Sequence, residues 1–270
     1  AGGCANKNLL RLGGGSLRSL VVLVFMGISA YMTLKGLFGQ WRVSLLEPVS
    51  IPLGGGALKD PTLASALAAA TGLAAGPALL AAAGIVAIGL LAFVFKDKRF
   101  RANRLQVASG IALGALVVAG WYLSGHIGYG ENTETLEQTY FATNTRTIES
   151  LSYVAPTAFT LELLMLWTDK SLHPSLGITS LLGIIAGAVL VSRLTGAFRW
   201  EGFASTQDVG TQILGAVLMG FGGVTALGCT IGQGMTGVST LAIGSFIALA
   251  GLVGGCVATL KYLLWKAERD

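Results

Sequence analysis

The sequence predicts an all-α integral membrane protein, a multi-helix bundle with two inverted repeats and glycine-rich re-entrant or broken-helix motifs at the membrane midplane. Three observations predict this fold class. Of the 270 residues, 53% are hydrophobic and only 11% are charged, whereas a soluble domain carries about 25% charged residues. Several segments are long and apolar enough to cross a bilayer. A short motif that begins with Gly-Cys occurs near each end of the chain.

A helix that crosses a bilayer needs about 20 apolar residues. The segments that meet this requirement are Leu17 to Leu37, Leu73 to Phe95, Val107 to Ile127, Leu176 to Phe198, Val209 to Leu227 and Ser239 to Leu263. Glycines four residues apart predict close helix packing on three of them. These pairs are Gly110 with Gly114, Gly183 with Gly187, and Gly251 with Gly255. Cys256, next to the last pair, is interpreted as a packing residue.

The segment from Leu151 to Trp167 is shorter, and Pro156 and Glu162 interrupt its apolar pattern. It is therefore interpreted as a re-entrant piece or as two half-helices. An ionisable residue inside an apolar membrane segment is a functional candidate. The alternative for Glu162 is that it is a buried partner of a basic residue.

The charged residues predict the topology. The stretch from Lys96 to Arg104 carries five basic residues and one acidic residue, so it is expected on the cytoplasmic side. The stretch from Glu131 to Glu149 carries four acidic residues, one of them Glu134, against Arg146, and it is expected on the opposite side. If Leu151 to Trp167 enters and returns, Arg193 and Arg199 also fall on the cytoplasmic side, and so does the basic C-terminus with Lys261, Lys266 and Arg269. The re-entrant interpretation is therefore preferred, and the net charge of +5 sets topology and implies no nucleic-acid partner.

The second motif, GCTIGQG, runs from Gly228 to Gly234 between two apolar segments. Each glycine costs a helix about 1 kcal/mol relative to alanine, so we expect the backbone to break here. Irregular backbone at membrane depth persists only where it is buried in protein or lines a cavity. The predicted substrate site therefore contains the side chains and freed amides of this motif, namely Gly228, Cys229, Gly232, Gln233 and Gly234.

A related pattern occurs near the N-terminus. Superposing Cys4 on Cys229 places Asn8 on Gln233, and a one-residue gap then places Ser19 on Ser245. Paired interrupted segments in two halves of a chain point to a transporter site. The chain is interpreted as one membrane transport domain, 1–270, with the end of the first repeat at 1–37, a connecting helical hairpin at 73–129 and the second repeat at 151–263. We expect the first repeat to lack, upstream, about as many residues as separate Leu151 from Cys229.

The chemistry of the two motifs favours a sulfur-containing inorganic anion. A cysteine offers a polarisable sulfur and a weak S–H donor, and freed backbone N–H groups favour an anion. Asn8 and Gln233 add neutral amide donors, which suit several weak stations along a path. Lys7 is a further candidate, with lipid head groups as its alternative partner. The three cysteines show no zinc pattern, and His126 and His173 are expected at the membrane interface, so neither a metal nor a cofactor is predicted.

Three stretches carry a family resemblance. LGCTIGQGMTGVSTLAIGSF, from Leu227 to Phe246, resembles the signature of the YeeE/YedE membrane proteins. GGCANKNLLRLGGGSLRSL, from Gly2 to Leu20, is similar to the first-half copy of that signature, and ESLSYVAPTAFTLELLM, from Glu149 to Met165, also resembles a family stretch. The first copy departs from the family pattern at Lys7 and Asn8, where many members have Gly-His.

The resemblance implies uptake of thiosulfate or a related sulfur species across the cell inner membrane. It implies that Cys4 and Cys229 contact the substrate sulfur in turn, without covalent turnover, and a cytosolic sulfur-carrier protein is a possible recipient. Three alternatives stay open: a selenium-species transporter of the same fold, a membrane thiol redox or sulfurtransferase enzyme, and a non-conducting membrane subunit. The enzyme would need an activated thiolate near a base or a CxxC pair, and neither is present in the sequence.

Overall fold

The computed structural model describes residues 3–49, 60–131, 137–203 and 206–268. Gly2, Glu134 and Arg269, which the sequence analysis used, lie outside the described residues, as does the side chain of Lys266. The described chain is almost entirely helical, with one two-stranded hairpin. This confirms the predicted all-α membrane fold class.

The described α-helices are α1 Ala5–Gly13, α2 Leu17–Lys35, α3 Leu37–Trp41, α4 Leu63–Thr71, α5 Ala75–Lys96, α6 Lys98–Ala102, α7 Arg104–Tyr122, α8 Val154–Met165, α9 Leu176–Leu194, α10 Thr206–Thr225 and α11 Ile243–Ala267. Wider π turns occupy Arg42–Leu46, Leu123–Ile127 and Gly232–Gly237, and a 3₁₀ turn occupies Glu47–Val49. The antiparallel strands β1 Tyr129–Glu131 and β2 Gln138–Tyr140 pair Gly130 with Thr139.

Five of the described helical stretches are long and apolar enough to cross a membrane: Leu17–Lys35, Ala75–Lys96, Arg104–Ile127, Leu176–Leu194 and Ile243–Trp265. They confirm five of the six predicted spans. The sixth, Val209 to Leu227, does form a helix, α10, but α10 does not reach the same apolarity. Asp208 and Gln212 in its first turns and the glycines near its end lower its hydropathy.

The chain divides into two compact units, Ala1–Ser50 with Leu116–Gly232 and Ile51–Ala115 with Gln233–Asp270. In the first unit α2 is the central helix, and Val22, Met26 and Ala30 on it are completely buried. Helix α10 approaches it so closely that a β-carbon at Gly220 would lie 2.9 Å from the Ala30 nitrogen and closer still to the Met26 carbonyl oxygen. The Ser29 hydroxyl also donates to the Val217 carbonyl at 2.7 Å.

Helix α8 packs on another side of α2. A β-carbon at Gly27 would lie 2.6 Å from Leu161 Cδ1 and 3.1 Å from Thr157 Cγ2. The close approach buries apolar surface on both helices, and Val154 and Ala158 are at most 1% exposed. Helix α1 packs in the same way on α9, where Gly13 contacts Ala188.

The predicted glycine pairs do not make such contacts. A β-carbon at Gly110, Gly114, Gly183, Gly187, Gly251 or Gly255 would meet nothing within 4 Å in the described chain. Within the described chain, the packing prediction is therefore not met for these pairs. The close approaches use other glycines, because the four-residue spacing alone does not say which helix face has a neighbour.

The second unit has a smaller core, formed by Ala64, Ala82 and Leu241. Helix α4 begins with a capping box, in which the side chains of Thr62 and Ser65 each accept a hydrogen bond from the backbone of the other, and it ends at Gly72 in the left-handed conformation. The Leu63 nitrogen donates to the Leu241 carbonyl at 2.9 Å. These contacts fasten the start of α4 to the turn that precedes α11.

Candidate functional site

The second motif begins where α10 ends. The Gly228 nitrogen donates to the Gly223 carbonyl at 2.8 Å, and the Leu227 nitrogen donates to the Val224 carbonyl at 3.0 Å. This pair of bonds is a Schellman ending, which requires a left-handed residue after the helix. Leu227 supplies it with a φ of 57°, a conformation that usually falls to glycine because other residues are strained in it.

Cys229 starts the next helical turn. It is 7% exposed, and its Sγ accepts a hydrogen bond from the Gly232 nitrogen at 3.5 Å. The sulfur therefore acts as an N-terminal cap, while its S–H hydrogen is left to donate. A β-carbon at Gly232 would lie 2.9 Å from Ser152 Oγ, so the glycine allows the segment before α8 to approach this turn.

The glycines predicted a break in the backbone across the whole motif, but the structure shows a break at its start only. The backbone breaks before Cys229, but Gly232–Gly237 is helical and forms a π turn. The helix tolerates these glycines because their missing side chains admit neighbours. A β-carbon at Gly237 would lie 2.5 Å from Ser245 Oγ and 2.6 Å from Gln233 Oε1. Gln233 is 8% exposed and belongs, with Gly234, to the second unit.

The first motif has the same beginning. Cys4 is half-buried and occupies the N-cap position of α1, where its side chain makes no capping bond. Asn8, only 2% exposed, donates through Nδ2 to the carbonyls of Gly3 and Cys4, each at 3.2 Å. Asn8 therefore holds the Gly3–Cys4 turn in place, and the stem of the exposed Lys7 lies over Gly3.

The two motif segments share one order of local structure. In the first, α1 is followed by a turn, then by Ser16, a bridging residue that forms an isolated β-bridge with Glu201, and then by the long helix α2. In the second, helical residues 230–239 are followed by a turn, the bridging residue Ala242 and the long helix α11. Gly15 and Leu241, just before the bridging residues, both have positive φ, 101° and 59°. The second short helix is one residue longer, and a π turn accommodates one extra residue.

Residues of both motifs belong to one buried cluster of the first unit. Ala5 and Leu9 of α1 are each 1% exposed, and they share the cluster with Cys229, Tyr153 and Val154. The two motifs lie in different predicted repeats of the chain. The structure brings the Cys229 turn, the face of α1 next to Cys4 and the start of α8 into a single core.

Glu162 lies on α8, 5% exposed. Its Oε1 accepts from Lys35 Nζ at 2.8 Å and from the Tyr31 hydroxyl at 2.9 Å. Glu162 is thus the buried partner of a basic residue, which was one of its two interpretations. Lys35 and Tyr31 were not predicted as partners of Glu162, because Lys35 ends an apolar span and resembles any charge at a membrane edge. The four-residue spacing of Tyr31 and Lys35 on one helix face was the available signal.

Cys256 is exposed on α11, so the described chain gives no support to its interpretation as a packing residue. Gly254 and Gly255 beside it are equally open. Both histidines lie outside the α-helices, His173 in the loop before α9 and His126 in the wide turn after α7. His126 stacks on Tyr122 with ring centroids 5.2 Å apart.

Comparison with known proteins shows the family to which the chain belongs. A family model described as "Sulphur transport" matches residues 1–258. The thiosulfate transporter TsuA of Spirochaeta thermophila is 28% identical over 260 residues, an alignment that covers 92% of this chain and 68% of that protein. Since the family model matches nearly the whole chain and the helices are those of a multi-pass membrane protein, this chain belongs to the sulphur-transport family of YeeE/YedE membrane proteins.

Proposed function

We propose that this chain takes up thiosulfate or a closely related sulfur anion across the cell inner membrane, and that Cys4 and Cys229 contact the anion in turn. The observation that carries the proposal is the position of both cysteines immediately before the first residue of a short helix, where the backbone is interrupted. The first N–H groups of a helix have no partner within it and carry a partial positive charge. Each cysteine therefore adds a weak S–H donor to a place that already favours an anion.

The two cysteines are free thiols, and their environments differ in a way that suits successive contacts. Cys229 is buried and its sulfur accepts a hydrogen bond from the Gly232 nitrogen, whereas Cys4 is half-buried and its thiol makes no capping hydrogen bond. Weak, unequal stations let an anion be held and then released. Asn8 supports the first station as a positioning residue, since its amide holds the Gly3–Cys4 turn.

Two further observations support the inverted-repeat and re-entrant parts of the proposal. The motif segments share an order of local structure and a positive φ at corresponding residues. Helix α8 has 12 residues, about 18 Å at 1.5 Å per residue, which is short of the roughly 30 Å hydrocarbon core. Contacts at both ends of its segment reach residues that flank the β1–β2 hairpin: before α8 the Glu149 nitrogen donates to Ser124 Oγ in the turn that precedes β1, and after α8 the Leu176 nitrogen donates to the Ala142 carbonyl just after β2.

The alternatives receive less support. A non-conducting subunit has no need for interrupted helices, yet both motifs are interrupted before and after their short helix. A thiol enzyme that cycles between the two cysteines would be favoured by a bond between them, and both are free. No observation favours a selenium species over a sulfur species or identifies a cytosolic acceptor.

The first experiment measures thiosulfate uptake, together with growth on thiosulfate as the sulfur source, in cells that depend on the natural gene for uptake. Cys4→Ala and Cys229→Ala are each expected to lower uptake about tenfold or more, since a hydrogen bond to a charged group contributes roughly 1.5–3 kcal/mol. Cys256→Ala is the matched control, because its exposed thiol has no place in the path. Normal uptake by both motif variants at equal expression would overturn the cysteine relay.

Cys229→Ser separates contact from covalent chemistry. Serine keeps a hydrogen-bond donor at the same position but removes the nucleophilic sulfur. Partial uptake by this variant is expected for a hydrogen-bonding station, whereas complete loss with intact folding would favour the thiol enzyme.

A further inference from the structure

The first unit contains a cavity of about 480 Å³ beside the far end of α2. Its lining includes Lys35 from α2, Phe159 and Glu162 from α8, Arg146 from the loop after β2, and His173 from the loop before α9. Water occupies about 30 Å³ per molecule in the liquid, so the cavity has room for a small anion with much of its hydration shell.

The charged groups at the cavity favour an anion. Lys35 and Arg146 are cationic and Glu162 is the acidic residue of the lining, so the lining carries one net positive charge from these three residues. The Glu162 carboxylate already accepts hydrogen bonds from Lys35 Nζ and the Tyr31 hydroxyl. Two acidic residues on the neighbouring loops also accept hydrogen bonds: Glu149 from the Thr145 hydroxyl, and Asp169 from the Ser171 nitrogen.

The loop that carries Arg146 is held by its own hydrogen bonds. Thr143 is 5% exposed and donates to the Thr147 carbonyl at 2.8 Å, and the hydroxyls of Thr145 and Thr147 lie 2.8 Å apart. Arg146 itself has a φ of 55°. A non-glycine residue in this region is strained, and such strain persists where the surroundings hold it, often at functional sites. The loop thus fixes Arg146 at the cavity.

Two helices connect this cavity to the cysteine core. Val154 of α8 belongs to the cluster that contains Cys229, and Glu162 lies eight residues further along the same helix, about 12 Å at 1.5 Å per residue. Helix α2 makes the same connection from Met26 in the cluster to Lys35 at the cavity. The charge-based topology places this end of α2 on the side opposite the Lys96–Arg104 stretch.

We propose that the cavity is an outer vestibule that captures the sulfur oxyanion before it reaches the cysteines, with Arg146 and Lys35 as its cationic partners; this proposal rests on the proposed function. Glu162 is a positioning residue that holds Lys35 at the cavity. Its negative charge also offsets one positive charge of the cavity, which keeps the attraction for the anion weak enough that the anion can be released. Converging positive charge raises the local concentration of an anion and the rate at which it enters, and salt weakens the effect.

The test measures thiosulfate uptake into proteoliposomes and thiosulfate binding to the purified protein, both produced from the natural gene. Arg146→Gln is expected to raise the KM for uptake about five- to tenfold, to leave the maximal rate unchanged and to weaken the salt dependence of uptake. Arg101→Gln is the matched control, because it removes one exposed arginine from α6, which contributes nothing to the lining of the vestibule. Equal KM and salt dependence for the two variants would overturn the vestibule.

Lys35 needs a paired substitution. Lys35→Gln alone leaves the buried Glu162 without its cation, which can prevent folding, whereas Lys35→Gln with Glu162→Gln leaves a neutral pair that can still form a hydrogen bond. The double variant is expected to fold and to show a raised KM with an unchanged maximal rate. A double variant that folds and keeps the wild-type KM would remove Lys35 from the proposal.

The same measurements separate failure of the vestibule from failure of the proposed function. Cysteine variants are expected to lose maximal rate at every thiosulfate concentration, whereas vestibule variants recover at high concentration. If wild type transports thiosulfate and the vestibule variants match it, only the vestibule is overturned. If wild type neither binds nor transports thiosulfate, the proposed function is overturned and the vestibule with it.

Discussion

At the residue scale, Leu227 shows strain next to the buried Cys229. It takes the left-handed position of a Schellman ending and is 84% exposed, so its side chain gains little by being there. Glycine adopts this conformation without the contact between Cβ and the carbonyl that costs other residues about 1–2 kcal/mol.

Leu227→Gly is therefore expected to stabilise the protein by about 1 kcal/mol. The measurement is the free energy or temperature of unfolding in detergent. Leu227→Ala is the matched control, because alanine shortens the side chain and keeps the strain. If both variants shift stability equally, the conformation of Leu227 is not the cause.

Single residues also mark the limit of sequence reasoning. Cys4 and Cys229 could be singled out because each stands in a recognisable short motif. Arg146 could not be placed at a vestibule, and the Lys35–Glu162 pair joins residues 127 positions apart. Such a pairing depends on which helix faces meet, and no local pattern in the sequence specifies that.

At the scale of elements, the close contact between α2 and α10 depends on the glycines of α10. Gly220 lies against the backbone of α2, whereas a β-carbon at Gly222, two residues further on, would meet nothing within 4 Å in the described chain. Two glycines on one helix therefore have opposite environments.

Gly220→Ala is expected to destabilise the protein by about 1–3 kcal/mol, because the added methyl meets backbone atoms that cannot move aside. Gly222→Ala is expected to be neutral or stabilising by up to about 1 kcal/mol, since alanine favours the helix. Thermal unfolding of the two variants and wild type checks the contrast, and an equal loss in both would contradict this account of the contact.

Five of the spans were predictable because long apolar runs dominate their sequences. The π turn at Gly232–Gly237 was not, because glycine count argued for a break while the neighbours Ser245 and Leu249 fill the space that the glycines leave. The sequences alone show that the second motif segment is one residue longer than the first when the two are aligned. They do not show that the extra residue lies in this π turn.

At the scale of the whole molecule, the charge distribution predicts the orientation in the membrane. The basic stretch from Lys96 to Arg104 is expected in the cytoplasm, and the loop that carries Thr145 is expected on the outside. The contacts at the two ends of the α8 segment are consistent with a piece that returns to the side it left.

Thiol labelling in cells tests this orientation. In a Cys256→Ser background, Thr145→Cys is expected to react with a membrane-impermeant maleimide in intact cells, and Lys98→Cys only after the membrane is permeabilised. The Cys256→Ser protein without a new cysteine is the control, because any labelling of it comes from Cys4 or Cys229. The reverse pattern would show that the chain has the opposite orientation.

The contact between Gly27 and α8 also limits how this protein can evolve. Any side chain gained at position 27 would enter the space of Leu161 and Thr157, on the helix that carries both a wall of the cysteine core and Glu162. A larger residue at 27 therefore requires the Leu161 side chain to move aside or to be replaced by a smaller one. The two positions are therefore expected to change together more often than separately.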